Sequence, residues 1–262
     1  MLITKECKEI RRNILKISKV SGHGHLPSCF SIVEMLYTIY SVMNHDPDDP
    51  SWESRDIFIL SKGHGSLAYY CVLAYYGYFK IDEVFSFGSF NSNFGCHIDR
   101  FKVPGSEAST GSLGHGIGLA VGSALGLKIK KSNRRVFVLI GDGESNEGSV
   151  WEAVMIASNL KLSNLTIIYD NNLSHSRGLQ IYNPAERFKA FGCETSEVDG
   201  HDMSVLKREL INRGAHPKVI VANTEKGYGC RSFVDNQYVW HRKSPNDDEL
   251  GILLKELDEE TV

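Results

Sequence analysis

The chain has no long apolar run, no cluster of basic residues and no closely spaced cysteines, and each lack removes a class of function. Its most apolar segment, Leu67–Phe79, is too short and too rich in tyrosine to cross a bilayer, so it reads as a core helix and no membrane partner is expected. The formal net charge is −3 over 262 residues. Lys128–Arg135 is a short charged surface turn, not a basic patch, so nucleic acid is not an expected partner. The 6 cysteines (Cys7, Cys29, Cys71, Cys96, Cys193 and Cys230) are scattered without a C-x-x-C pair. That spacing argues against a zinc centre and against a disulfide framework, and fits free thiols in a reducing, cytoplasmic setting. Two phosphate-binding signatures are also missing: the chain holds neither G-x-G-x-x-G nor G-x-x-x-x-G-K-[ST]. Met1–Val20 is charged throughout and carries Ile3, Cys7, Ile10, Ile14 and Ile17 at helical spacing, so it reads as an amphipathic helix rather than a secretory signal.

What the chain does have is centred on Arg135–Ser174. Val136–Ile140 reads as a buried strand and ends in Gly141-Asp142-Gly143. A helix is expected from about Ser149 to Leu160, where Trp151, Val154, Met155, Ala157 and Ser158 recur at three- to four-residue spacing. Leu165–Tyr169 reads as a second strand and ends in Asp170-Asn171-Asn172. A strand–helix–strand crossover makes its strands parallel, so both strand ends lie on one edge of the sheet. Ligands of open α/β sheets bind at that edge. A carboxylate, a side-chain amide and loop carbonyls are hard oxygen ligands that suit magnesium, which takes its remaining ligands from phosphate and water. Gly141 and Gly143 allow a tight turn and a close approach to phosphate. The stretch therefore points to a metal-bound diphosphate; a plain turn with a solvated aspartate is the alternative reading of the same residues.

The remaining chain supports an α/β domain. Ser21–Pro27 is a loop, and Ser28 or Ser31 is positioned to cap a helix over Ile32–Val42. His23-Gly24-His25 offers either a weak metal pair or a pocket-facing histidine. Asp56–Leu60 is a strand candidate that ends in Ser61-Lys62-Gly63-His64. Phe85–Gly105 lacks periodicity and reads as a long functional loop around Cys96-His97. Thr110–Gly116 leads into a helix with Gly118, Gly122 and Gly126 at four-residue spacing, a pattern that most simply allows close helix packing. Further strands are expected at Glu194–Val198 and Lys218–Ala222, and helices at Pro184–Phe191, Met203–Asn212 and Asp247–Leu257. Alternating strands and helices without repeats or linkers predict one doubly wound, mainly parallel α/β domain over residues 1–262.

Several of these pieces, in this order, resemble the transketolase family: SGH at 21–23, SKGH at 61–64, STGSLGHG at 109–116 and GDG…NN at 141–172. The last is similar to the thiamine-diphosphate motif, and DGHD at 199–202 and the WH…P pattern at 240–245 extend the likeness. It covers about residues 5–255 and corresponds to the half of a transketolase that binds the cofactor diphosphate. The resemblance implies that Asp142, Asn172 and the Ser174 carbonyl hold Mg2+ (or Ca2+ or Mn2+), and that Gly141 and Gly143 flank the diphosphate of thiamine diphosphate. It implies that Gly111 and Leu113 pack on the thiamine rings and that His64 and His241 lie near the diphosphate and substrate channel. His23 and His97 would handle protons and hydroxyls of a sugar, work that suits an imidazole. The implied reaction is two-carbon ketol transfer with the cofactor as electron sink. The glutamate that activates the cofactor in this family lies on a pyrimidine-binding half. The resemblance thus implies a partner chain carrying that half, in an α2β2 heterotetramer, without which this chain is inactive.

The chain departs from the family pattern at three places. His23-Gly24-His25 stands where the family has His-Pro-Gly, Ser174–Gly178 where it has an isoleucine-aspartate-glycine run, and Arg242 where glycine is common. Arg177 and Arg242 add positive charge at the site mouth and favour an anionic or larger substrate, such as a sugar nucleotide. The alternatives are a related enzyme acting on 2-oxo acids and a non-catalytic scaffold that kept the fold.

Overall fold

The computed structural model describes residues 3–259. Met1 and Leu2, at the start of the first expected helix, and the last three positions of the expected domain lie outside the described residues. The chain opens with α1 (Lys5–Ser21), whose first turn is capped by the Thr4 hydroxyl accepting from Cys7 N at 3.4 Å. A one-turn helix, α2 (Leu26–Phe30), then leads into α3 (Val33–Val42). Neither Ser28 nor Ser31 caps α3, contrary to the sequence expectation: Ser28 lies inside α2, and the Ser31 hydroxyl donates to Asp170 Oδ2 at 2.9 Å.

Strand β1 (Ile57–Leu60) is followed by α4 (Ser66–Tyr75), α5 (Ile81–Val84) and a long irregular segment that ends at α6 (Gly116–Ile129). Then come β2 (Val136–Gly141), α7 (Gly148–Asn159), β3 (Leu165–Asn171), α8 (Pro184–Ala190), β4 (Glu194–Asp199), α9 (Met203–Ile211) and β5 (Lys218–Asn223). The short α10 (Arg231–Asp235) and α11 (Asp247–Glu259) close the order. All strand pairs are parallel, in the order β1-β2-β3-β5-β4.

The apolar strands are buried on both faces, as a parallel sheet covered by helices requires. Along β2, Phe137 and Leu139 join one core with α1, α3, α4, α9 and α11, while Val136, Val138 and Ile140 join a second core with α6, α7 and α8. This is the expected doubly wound architecture. From β1 to β4 the chain steps outward in one direction. It then returns to insert β5, so α9 covers the opposite face from α8. β4 lies at the sheet margin, and its polar sequence matches its half-exposed place.

Two sequence expectations fail in detail. Lys128–Arg135 is only partly a surface turn, because α6 runs through Ile129 and Arg135 pairs with buried Asp56 at 2.8 Å. Gly116 at the start of α6 packs closely on Ser61, but among the described residues a Cβ on Gly118, Gly122 or Gly126 would meet no atom within 4 Å.

Candidate active site

The C-terminal ends of β1, β2, β3 and β5 deliver Lys62, Asp142, Asn172 and Lys226 to one edge of the sheet. A cavity of about 580 Å3 opens there. Of the residues singled out from sequence, His64, His97, Gly111 and Leu113 line it, as do Gly141, Asp142, Gly143, Asn172, Ser174 and His241. His23 does not. It lies in an adjoining pocket of about 250 Å3, its ring edge-on to Phe87. No group of three histidine, cysteine or acidic side chains among the described residues, the His23–His25 loop included, converges on a metal position.

Asp142 and Asn172 meet through the backbone between them in space. Ser174 N donates to Asp142 Oδ2 at 2.9 Å and to Asn172 Oδ1 at 3.0 Å, and the Ser174 hydroxyl bonds Asp142 Oδ1. The Asn172 amide nitrogen is committed to Asp170 Oδ2 at 2.8 Å and Ser31 Oγ at 3.1 Å. That orientation leaves its oxygen on the side of Asp142. A carboxylate and an oriented amide oxygen beside a loop backbone fit a hard divalent cation. His175 Nδ1 sits 2.9 Å from Asp142 Oδ2, off the hydrogen-bond axis.

Gly141 and Gly143 keep ordinary backbone conformations, Gly143 with φ −62°, so the turn does not require the left-handed region. Their contribution is a cavity wall without side chains. Glycine is needed more strictly at Gly114, where φ is +77° and a Cβ would clash with Ser149 Oγ. There the Thr110–Gly116 loop presses against the turn before α7.

Sequence reasoning missed the residues that hold these loops together. Asp170 is fully buried and binds Lys62 Nζ at 2.5 Å and Thr224 Oγ1 at 2.5 Å, which ties β1, β3 and β5 at their ends. Glu144 accepts from Gly114 N at 2.8 Å and Gly141 N at 3.0 Å, and also from the Ser61 hydroxyl. Burial raises the Glu144 pKa against those bonds. Lys226 lines the cavity, only 6% exposed, and makes no ion pair or hydrogen bond among the described residues. Burial, together with the nearby Lys62 charge, lowers its pKa. The available signals were the position of Asp170 in Asp170-Asn171-Asn172 and of Lys226 just beyond a strand end.

Burial, helped by neighbouring charges, keeps His25, His64 and His241 uncharged near neutrality. Burial lowers His64 well below its ordinary 6.5, helped by the Lys62 charge. His241 is lowered by burial, then by Lys226 and Arg242. His25, which also lines the cavity, is pushed down to about 4 by burial and then by His241 and Arg242. Neutral imidazoles can accept or donate a proton at a substrate hydroxyl.

These residues together form a polar cavity at the carboxyl edge of a parallel sheet. The family model described as the transketolase thiamine diphosphate binding domain matches residues 4–257, and the chain belongs to that family. It is 40% identical to a subunit of the apulose-4-phosphate transketolase of Actinobacillus succinogenes, over 98% of this chain and 96% of that protein. It is 35% identical to a subunit of the 6-deoxy-6-sulfo-D-fructose transketolase of Clostridium sp. MSTE9, over 96% and 94% respectively. Among solved structures, a transketolase from Campylobacter jejuni superposes with a TM-score of 0.87 at 23% identity, covering 97% of this chain and 42% of that one. The chain thus has the fold of these enzymes and spans less than half the length of that solved transketolase.

Proposed function

We propose that this chain is the cofactor-diphosphate subunit of a two-chain transketolase that moves a two-carbon ketol unit from a ketose donor to an aldehyde acceptor. The observation that carries the reading is the convergence of Asp142, Asn172 and the Ser174 loop with His64, His97 and His241 in one cavity. Thiamine diphosphate, when bound, supplies an electron sink for the two-carbon fragment. Asp142, Asn172 and the Ser174 carbonyl would hold Mg2+, or Ca2+ or Mn2+ in its place, against the diphosphate. Gly141 and Gly143 leave room for that group, and Lys226 offsets its charge. Gly111 and Leu113 form the wall for the thiamine rings. His64 and His241 hold or move protons at the reacting oxygens, while His97 and His23 bind sugar hydroxyls.

The names of the relatives support a specialised sugar substrate carrying phosphate or sulfonate. Arg242 and Lys226 in the cavity wall suit such an anion. The naming of the relatives as subunits supports a partner chain; in this reading that chain carries the pyrimidine-binding half, in an α2β2 assembly. The row Gly118, Gly122 and Gly126 of α6, against which no described residue packs, also supports a partner chain.

Calorimetric titration of thiamine diphosphate with MgCl2 tests the reading, onto this chain alone and onto its mixture with the product of the neighbouring gene. Tight, magnesium-dependent binding that needs the mixture and disappears in Asp142→Ala is the expected result. Absence of binding in every combination would leave the fold as a scaffold and end the proposal.

A further inference from the structure

Two cavities share part of their wall. His25, His64 and Arg242 line both the cofactor cavity of about 580 Å3 and the adjoining pocket of about 250 Å3 that holds His23, Phe87 and Cys96. Of the shared residues, His25 is held in the least ordinary way. Its backbone is left-handed, φ 66° and ψ 19°, a conformation that favours glycine over a residue with a side chain. His25 N donates to His241 O at 2.9 Å, and Cys29 N donates to His25 O at 3.0 Å. The preceding Gly24 lies so close to the Arg242 backbone that a Cβ would clash with its carbonyl carbon. The 23–25 and 241–242 loops are therefore locked together.

This lock fixes the His25 imidazole between two other histidines. Its centroid is 4.9 Å from His241, edge-on, and 5.7 Å from His64. Nδ1 is sealed from solvent without a partner, and the ring makes no hydrogen bond among the described residues. Nε2 is left as the nitrogen able to meet a ligand. A backbone outlier and an unpaired buried nitrogen on one residue both disfavour folding. Glycine would avoid both penalties. Residues that keep such penalties cluster at functional sites.

We propose that His25 is the specificity-determining residue of this site: its ring closes the passage between the two cavities and offers Nε2 to a hydroxyl of an open-chain polyhydroxy aldehyde. The side pocket behind the ring is then reached only by an acceptor that the ring admits. The inference rests on the ketol-transfer reading above.

The test uses the assembled enzyme with its partner chain, thiamine diphosphate and MgCl2. Hydroxypyruvate serves as ketol donor: each transfer takes up one proton, releases one carbon dioxide and forms one ketose. kcat/KM is measured for hydroxyaldehydes of two, three, four and five carbons with wild type, His25→Gly and His25→Asn. Glycine suits the local backbone, so His25→Gly opens the passage without a folding penalty. The ratio of five-carbon to two-carbon kcat/KM should change by about tenfold or more in His25→Gly. His25→Asn, which keeps a polar side chain and part of the bulk, should stay nearer wild type. An unchanged ratio, including an equal loss for every acceptor, would overturn the inference while leaving the transferase reading intact. A wild-type assembly without ketol transfer to any aldehyde would overturn both.

Discussion

Lys226 and the site histidines show what the individual side chains of this chain are set to do. The Lys226 ammonium has no ion pair or hydrogen bond among the described residues, and burial and the Lys62 charge outweigh the favourable Asp142 and Asp170 carboxylates. Such a group is unfavourable in the empty protein and favourable once an anion arrives. Lys226→Met should therefore leave the melting temperature of the chain unchanged or higher. It should weaken thiamine diphosphate binding to the assembly by about 1.5–3 kcal/mol, the scale of a hydrogen bond to a charged group. Differential scanning calorimetry and titration calorimetry measure the two quantities. A lowered melting temperature with unchanged affinity would make the lysine structural. The histidines give a pH dependence whose sign follows from their lowered pKa values. His25 stays neutral in the folded chain down to about 4 but takes a proton near 6.5 once unfolded. The unfolded chain binds more protons in that window, so stability should fall as pH drops from 6.5 toward 4. His64 and His241, also lowered, add to the same slope. Melting curves across that range should flatten in His25→Gly, and an identical slope would remove His25 from the account.

Elements are placed around the site by a second buried cluster. Arg11 on α1 donates to Glu34 on α3 at 2.6 and 2.8 Å, to Phe30 O at 2.8 Å and to Tyr228 O at 3.0 Å. His201, after β4, stands with Nδ1 3.1 Å from Glu34 Oε2, and its Nε2 accepts from Glu225 N at 2.9 Å. It stacks on Tyr228 with ring centroids 3.7 Å apart. The DGHD stretch thus anchors the 225–228 turn that carries Lys226. Burial alone would raise the Glu34 pKa, but Arg11 and the His201 bond outweigh it and hold it at about 2. Its contribution is complete above the ordinary 4.5 and is lost as pH falls through 2. Glu34→Gln should cost about 3–5 kcal/mol in urea denaturation, because it strands the Arg11 charge in the core. A loss below about 1 kcal/mol would mean that the cluster tolerates an unpaired guanidinium.

The same scale explains what was legible in the sequence. β2, β3 and β5 were readable because a strand buried on both faces is one continuous apolar run. The motif residues were readable because chain order and strand ends alone bring Asp142 to Asn172. α2, α5 and α10 are too short to show a period, so they were not anticipated. Glu144 and Asp170 act through contacts far apart in sequence, and Lys226 through its place in the cavity wall, neither of which a local pattern records.

At the scale of the whole molecule, the glycines of α6 separate two uses of one pattern. Four-residue spacing of small residues lets another backbone come close, and among the described residues nothing comes within 4 Å of a Cβ built on Gly118, Gly122 or Gly126. Leu119 on the same helix is 52% exposed, and Met155 and Ile156 on the neighbouring α7 are each 46% exposed. A helix that keeps glycine on an open face gives up about 1 kcal/mol per residue relative to alanine. That penalty makes sense if a partner chain seats against the bare backbone. The two uses predict opposite signs in one variant. If the face is open, Gly122→Ala should stabilise the isolated chain by about 1 kcal/mol, since the new methyl meets no atom within 4 Å. In the same variant, sedimentation velocity should show weaker assembly with the partner chain, because the methyl holds the two backbones apart. Leu119→Glu should likewise abolish assembly while changing the stability of the isolated chain by less than about 0.5 kcal/mol. Assembly unchanged in both variants would move the partner interface away from α6 and leave its glycines without a structural reason.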